Sequence, residues 1–229
     1  GIYRVLRQRT VNRWQGLRDA HKSSMSTLSQ LLPKDPEQPA SFWQPGKTRR
    51  YPFACVLFAD LSGYTTLNRQ YGDRAILTGL KRLYSHIDSL CDQFSVEKIK
   101  TNGDQYMVVS KLQIQTDQTC CVHMYHFASA LHRMIARYSD NHHLNCTVRI
   151  GIATGPLTAG IIGKNRTYFD VWGETVNLAA GLEQNADREY IAVCPVTAKH
   201  LPAHLIAAEA SLASSKHPDT NIYYQLKIA

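Results

Sequence analysis

Residues 97–109 read EKIKTNGDQYMVV, and residues 56–65 read VLFADLSGYT. In the first, two β-prone halves, EKIKT and QYMVV, flank Asn102-Gly103-Asp104, and Asn-Gly is a strong signal for a two-residue hairpin. The second ends a buried-strand run, PFACVLFA at 52–59, and passes through Asp60 into Leu-Ser-Gly. Working outward, Leu67, Ile76, Leu80, Leu83 and Ile87 recur at helical spacing, which predicts a helix over about Thr66–Cys91. A second helix is expected over about Gln118–Tyr138. CTVRIGIA (146–153) is the next strand, and GPLTAGIIGKNRTYFDV (155–171) reads as strand, turn and strand. A helix begins near Glu174, and NIYYQLKI (221–228) is a final strand. The order β-α-β-β-α-β is the ferredoxin-like plan, so the fold class is α+β: a ferredoxin-like core with extra C-terminal hairpin elements, preceded by an N-terminal helix.

The chain has 229 residues, enough for one domain with an extension. Its net charge is +8, which suggests a nucleic-acid partner until it is mapped. Residues 1–50 hold ten Lys/Arg against three Asp/Glu; the other 179 residues hold sixteen against fifteen. A nearly neutral domain argues against a nucleic-acid-binding face. The six cysteines (Cys55, Cys91, Cys120, Cys121, Cys146, Cys194) form no CxxC pair and lie mostly in apolar runs. They read as buried free thiols of a reducing compartment. His123 and His126 lie three apart on a predicted helix, with no nearby carboxylate to complete a zinc set. No run of eighteen apolar residues occurs, and no signal peptide is visible.

Three segments are expected: an N-terminal coiled-coil helix over 1–32, a proline-rich linker over 33–50 and a folded domain over 51–229. Within the helix, Val11, Arg18, Met25 and Leu32 fall at one heptad position and Trp14, His21 and Leu28 at the other. That is a leaky coiled-coil seam, and an amphipathic helix packed on the domain is its rival. Pro33 stops it. The early arginines, Arg4, Arg7, Arg9 and Arg13, fit the cytoplasmic side of a membrane span lying upstream; a solvated charged helix explains them equally. The expected setting is therefore a cytoplasmic domain, with membrane anchoring left open.

Asp60 and Asp104 each follow a strand-like run and sit at a turn, where a carboxylate can point off a sheet edge. Two hard oxygen ligands on adjacent strands suit Mg²⁺ or Mn²⁺ held together with a nucleotide's phosphates. Four ordered segments then carry a resemblance: FADLSGYT (58–65), EKIKTNGDQYM (97–107), RIGIATGPLTAGIIG (149–163) and YFDVWGETVNLAAGLE (168–183). Over about residues 51–228 the chain resembles the class III nucleotide cyclases. SQLLP (29–33) resembles the short transducing element ahead of many such domains.

The resemblance implies two Mg²⁺ or Mn²⁺ ions per site, held by Asp60 and Asp104 with the Leu61 carbonyl assisting. It places Ser62, Gly63, Tyr64 and Thr65 at the phosphates, where a glycine and a helix N-terminus offer free N–H groups. Lys100 and Asp170, with Val171, fall at the purine-reading positions. A lysine donates to adenine N1 and an aspartate accepts from N6, whereas guanine presents the reverse polarity. ATP is the implied substrate, and Asn177 matches the ribose-orienting asparagine. The family divides metal and base residues between two subunits, so a head-to-tail homodimer follows, with an upstream sensor or membrane domain as its input and no nucleic-acid partner.

Two departures stand against this. Where the family has a transition-state arginine, one turn after Asn177, this chain has Gly181, and such a loss in phosphoryl transfer can cost roughly 10³–10⁵ in rate. Arg188 and Lys164 are near in sequence as substitutes. The lysine-bearing C-terminal segment reads LASSKHPDTNIYYQL (212–226), in which Lys216 is a tentative phosphate contact. The first expectation is an adenylate cyclase making cyclic AMP and pyrophosphate. The rival is a weakly active or non-catalytic cyclase-homology module that binds nucleotide or pairs with another cyclase chain. Lys100 and Asp170 oppose a guanylate cyclase, and the neutral domain opposes an RNA-binding module.

Overall fold

A computed structural model describes residues 15, 16, 19, 43–63, 72–112, 119–212 and 221–229. The expected N-terminal helix lies outside the described residues except for Gln15, Gly16 and Asp19, which are helical and exposed. Most of the expected linker, Tyr64, Thr65 and Lys216 also lie outside them.

The core is β1 (Thr48–Ser62), α1 (Asp73–Gln93), β2 (Val96–Asn102), β3 (Gln105–Ser110), α2 (Thr119–Asn141) and β4 (Thr147–Ile162). The strands lie in the order β2-β3-β1-β4, every neighbouring pair antiparallel. This is the expected ferredoxin-like arrangement. Beyond it come β5 (Tyr168–Trp172), α3 (Glu174–Asn185), β6 (Ile191–Val193), the short α4 (Pro195–Lys199), β7 (Ile206–Ser211) and β8 (Ile222–Leu226). They extend the sheet past β4 as β6-β8-β7, while β5 pairs with the outer half of β4.

Successive side chains of a strand face opposite ways, so a strand buried on both faces must be apolar throughout. That is why PFACVLFA is continuous. Cys55, Leu57, Ala59 and Leu61 pack into the cluster under α1 and α2. Ala54, Val56 and Phe58 enter a second cluster with Ala179 and Leu182 of α3. Asp60 continues this second face.

Two expectations change, and one lies outside the described residues. The described part of the first helix begins at Asp73, with Gly72 at its N-cap, so the phosphate-binding helix start expected just after Gly63 does not rest on described residues. Residues 147–162 form one strand rather than two. Gly155-Pro156 does not break it, because the β1–β4 register shifts between Tyr51 and Ala54. Pro52 and Pro156 both fall in that bulge, where neither is asked for a ladder N–H. Finally, Asp60 is not at a turn but inside the ladder, paired with Gln105 on one side and Arg149 on the other.

Candidate active site

Asn102 pairs with Gln105, so the hairpin loop is Gly103-Asp104, one residue later than Asn-Gly alone suggests. Gly103 has φ +59°, at the first loop position, where a positive φ calls for glycine. The loop tip is held from two sides. The Leu61 N–H donates to the Asp104 carbonyl at 2.9 Å, and the Tyr84 hydroxyl of α1 donates to the Gly103 carbonyl. Asp104 is thereby fixed beside the Asp60 strand.

The electrostatics of this edge are those of two carboxylates without enough positive charge. Burial, then the charge of Asp60, raises the Asp104 carboxyl above its ordinary range. Burial, then Asp104 and Asp60, pushes Tyr84 up to about 12. Carboxylates crowded in this way accept a divalent cation readily. Among the described residues no group of three or more His, Cys, Asp or Glu could hold a metal. An ion at this edge would find two carboxylates and backbone oxygen, with coordination positions left for phosphates.

One cation is already there. Arg149, opposite Asp60 on β4, places Nη2 2.8 Å from Asp60 Oδ2. The same nitrogen is 3.6 Å from Oε2 of Glu183 on α3. Glu183 is buried, and burial followed by the Asp60 charge raises its carboxyl, against the opposing pull of Arg149 and a hydrogen bond from Gln105. Sequence reasoning passed over Arg149 and Glu183. The signal for Arg149 was present: one charged residue in the apolar run TVRIGIA, facing the same side as Asp60.

Lys100 and Asp170, seventy residues apart, meet through Nζ and Oδ2 at 2.8 Å. The Val171 N–H donates to Asp170 Oδ1 at 2.9 Å, fixing the carboxylate. A bulge between Lys98 and Lys100 sets the lysine's position on β2. Lys100, Val171 and Asn177 line one cavity of about 250 Å³, with Phe58, Met107 and Val176 as apolar walls and Gln105 between it and the carboxylates. Asp60 and Asp104 do not line it, and neither do Lys164 and Arg188.

Ser62 and Thr147 share a hydrogen bond between their hydroxyls at 2.7 Å. Gly63 has φ +95°, and a Cβ there would lie 2.5 Å from the Asn145 carbonyl oxygen, so the position is reserved for glycine. Among the described residues, nothing outside its own helix turn lies within 4 Å of where a Cβ at Gly181 would be. The space for a longer side chain is open.

The sequence profile of the adenylate and guanylate cyclase catalytic domain matches residues 47–222. An adenylate cyclase of Mycobacterium tuberculosis is 35% identical over 188 residues, which cover 74% of this chain and 41% of the relative. Atrial natriuretic peptide receptor 2 of Homo sapiens is 29% identical over 187 residues, 81% of this chain and 18% of the receptor. The chain thus spans less than half the length of either. Among solved structures, the catalytic core of a rhodopsin-guanylyl cyclase with converted specificity, in complex with ATPαS, superposes with a TM-score of 0.72 at 22% identity, over 80% of this chain and 100% of that one. The adenylyl cyclase CyaB from P. aeruginosa gives 0.69 at 21% identity, over 79% and 96%.

Proposed function

Because the chain belongs to the adenylate and guanylate cyclase catalytic domain family, we propose that it is an ATP-specific member, cyclising ATP to 3′,5′-cyclic AMP and pyrophosphate at sites shared between two copies. The observation that carries the substrate is the Lys100–Asp170 pair, whose lysine lines a cavity of mixed polar and apolar walls and whose aspartate precedes the lining residue Val171. An ammonium has three donors, so Lys100 can keep Asp170 and still donate to adenine N1 while Asp170 accepts from N6. Guanine would set N1–H against the lysine and O6 against the carboxylate. A mismatch that leaves a site's polar groups unpaired rejects by factors of roughly 10⁴–10⁵ in favourable cases.

Asp60, Asp104 and the Leu61 carbonyl would hold two Mg²⁺ or Mn²⁺, which lower the pKa of the attacking 3′-hydroxyl and neutralise the departing pyrophosphate. Asn177, on the same cavity wall as Val171, orients the ribose so that its 3′-oxygen faces the α-phosphorus. Arg149 balances the Asp60 charge while no ion is bound there.

Two observations favour a composite site. The metal carboxylates and the base cavity of one chain are separate, and the β4–β5 hairpin exposes Ile162, Tyr168 and Trp172 at 37%, 52% and 37%, apolar surface of the kind a second copy covers. Input comes from an upstream sensor or membrane domain, in keeping with relatives much longer than this chain. Among the described residues no helix is long and apolar enough to cross a membrane.

Gly181 supports a second reading, a weakly active module whose partner chain supplies the missing charge. Cyclic AMP and cyclic GMP production with Mn²⁺ and with Mg²⁺ separates the two. The parent chain should make cyclic AMP, and Gly181→Arg should make it faster. No product from the parent, with strong output from Gly181→Arg, would sink native activity and keep the site. Lys100→Glu with Asp170→Cys should abolish the ATP preference; an unchanged preference would mean that other residues read the base.

A further inference from the structure

Behind Asp60 lies a carboxylate with no role so far. Glu183 sits on the inner side of α3 with its side chain 1% exposed, and its Oε2 has no hydrogen-bond partner. Oε1 accepts only a long hydrogen bond from Gln105 Nε2, at 3.5 Å. Arg149 stands between two carboxylates, with Nη2 at 2.8 Å from Asp60 Oδ2 and at 3.6 Å from Glu183 Oε2. Its Nε is also buried without a partner. Buried polar atoms left unsatisfied are costly and rare, so a donor and an acceptor of this kind on two side chains already in ion-pair contact call for an explanation.

The explanation lies in what Asp60 must do. A guanidinium and a divalent cation compete for the same carboxylate oxygens. Arginine does not give up its proton, so Arg149 has to move rather than be neutralised. An acceptor with spare capacity is Glu183 Oε2, buried and already within ion-pair distance. We propose that Glu183 is the alternative partner of Arg149: as a divalent cation takes Asp60, the guanidinium passes to Glu183, and the strength of that attraction sets how readily Asp60 accepts the cation. The inference rests on the reading of Asp60 as a metal ligand. Glu183 touches neither cation nor nucleotide in this scheme and is a positioning residue acting through Arg149.

The test is Mn²⁺ binding to the full chain without nucleotide, read from the electron paramagnetic resonance signal of the free ion. Glu183→Gln keeps the shape and the acceptor for Gln105 but removes the charge. It should weaken Mn²⁺ binding roughly tenfold, the scale of lost outer-shell support at metal sites. In an Arg149→Met background, where the rival cation is gone, the same step should leave the affinity unchanged. Equal weakening in both backgrounds would show Glu183 acting on the ion directly and would overturn the proposal, as would an unchanged affinity of Glu183→Gln alone. Asp60→Asn separates the premise: full Mn²⁺ affinity there overturns the metal reading itself, whereas loss there without any Glu183 effect removes only the Arg149 step. An independent measurement needs no Arg149 variant. Saturating Mg²⁺ should move the Arg149 Nε resonance of the parent chain, and a resonance that stays in place at saturation overturns the transfer.

Discussion

Half-buried Tyr84 and buried His132 are two titratable groups on helices, and each makes a residue-scale prediction. The Tyr84 hydroxyl ties α1 to the Gly103 carbonyl, so Tyr84→Phe should cost about 1 kcal/mol, the ordinary worth of such a bond. Urea denaturation measures it, and an unchanged midpoint would mean that the hairpin tip is held by Leu61 alone. His132 is buried, with Nε2 unpartnered. Burial lowers its pKa from 6.5 to about 4, against a weaker opposite effect from a hydrogen bond to the Tyr190 backbone. Between those two values the unfolded chain binds more protons than the folded one, so stability falls as pH drops through the window and changes no further below it. The total is about 3 kcal/mol. His132→Gln should remove that part of the acid limb, seen as a parent-minus-variant difference that shifts between pH 7 and pH 4; a constant difference would show an ordinary imidazole. The candidate site was legible to the same uneven degree. Asp60, Asp104, Lys100, Asp170 and Asn177 stand in ordered local motifs, and local motifs survive in sequence. Glu183 and Gln105 owe their meaning to a crossing of α3 over β1, β3 and β4, which no spacing along the chain records.

At the scale of elements, α3 carries Asn177 and Glu183, and its seat depends on Gly151 of β4. A Cβ at 151 would lie 2.2 Å from the Glu183 nitrogen and 2.7 Å from the Ala179 carbonyl oxygen, so the helix backbone rests directly on the strand. Gly151→Ala must lift α3. We expect a loss of about 1–3 kcal/mol, as for other overpacked contacts, together with a fall in cyclase activity. Gly181, inside the same helix, has open space at its Cβ position. Gly181→Ala should stabilise by up to about 1 kcal/mol from helix propensity alone. Thermal unfolding of the pair is decisive, since equal effects of one sign would refute the contact argument. Periodicity revealed the order of elements because each is amphipathic or doubly buried along its own length. It misplaced a boundary within β4, because Gly155-Pro156 is a breaker only when the ladder needs its N–H. Opposite a bulge at Pro52 the ladder does not. The hairpin register slipped by one residue for a similar reason: Asn-Gly is a strong loop signal, but the β1 ladder and the Leu61–Asp104 bond select Gly103-Asp104 instead.

The whole molecule raises the question of where catalysis is assembled. One chain holds a carboxylate pair, Asp60 of β1 and Asp104 of the β2–β3 loop, and a cavity lined from β1, β2, β3, β5 and α3, to which neither carboxylate contributes. If the metal edge of one copy meets the cavity of another, a twofold dimer contains two sites, each using half of each chain. The consequence is complementation. A chain carrying Asp104→Asn has an intact cavity and a crippled metal edge, and a chain carrying Asn177→Ala has the reverse. Each alone should be nearly inactive. In a mixed dimer the metal edge of the second faces the cavity of the first, so one site of two is whole. Random pairing makes half of the dimers mixed, and the mixture should recover roughly a quarter of the parental activity per chain. Charged replacements on the β4–β5 hairpin, such as Tyr168→Asp with Trp172→Asp, should reduce both dimerisation and this recovery, because the exposed apolar surface there is what a partner would bury. Sedimentation run beside the assay decides the outcome. Mixed dimers without recovered activity would place both half-sets in the service of a single chain.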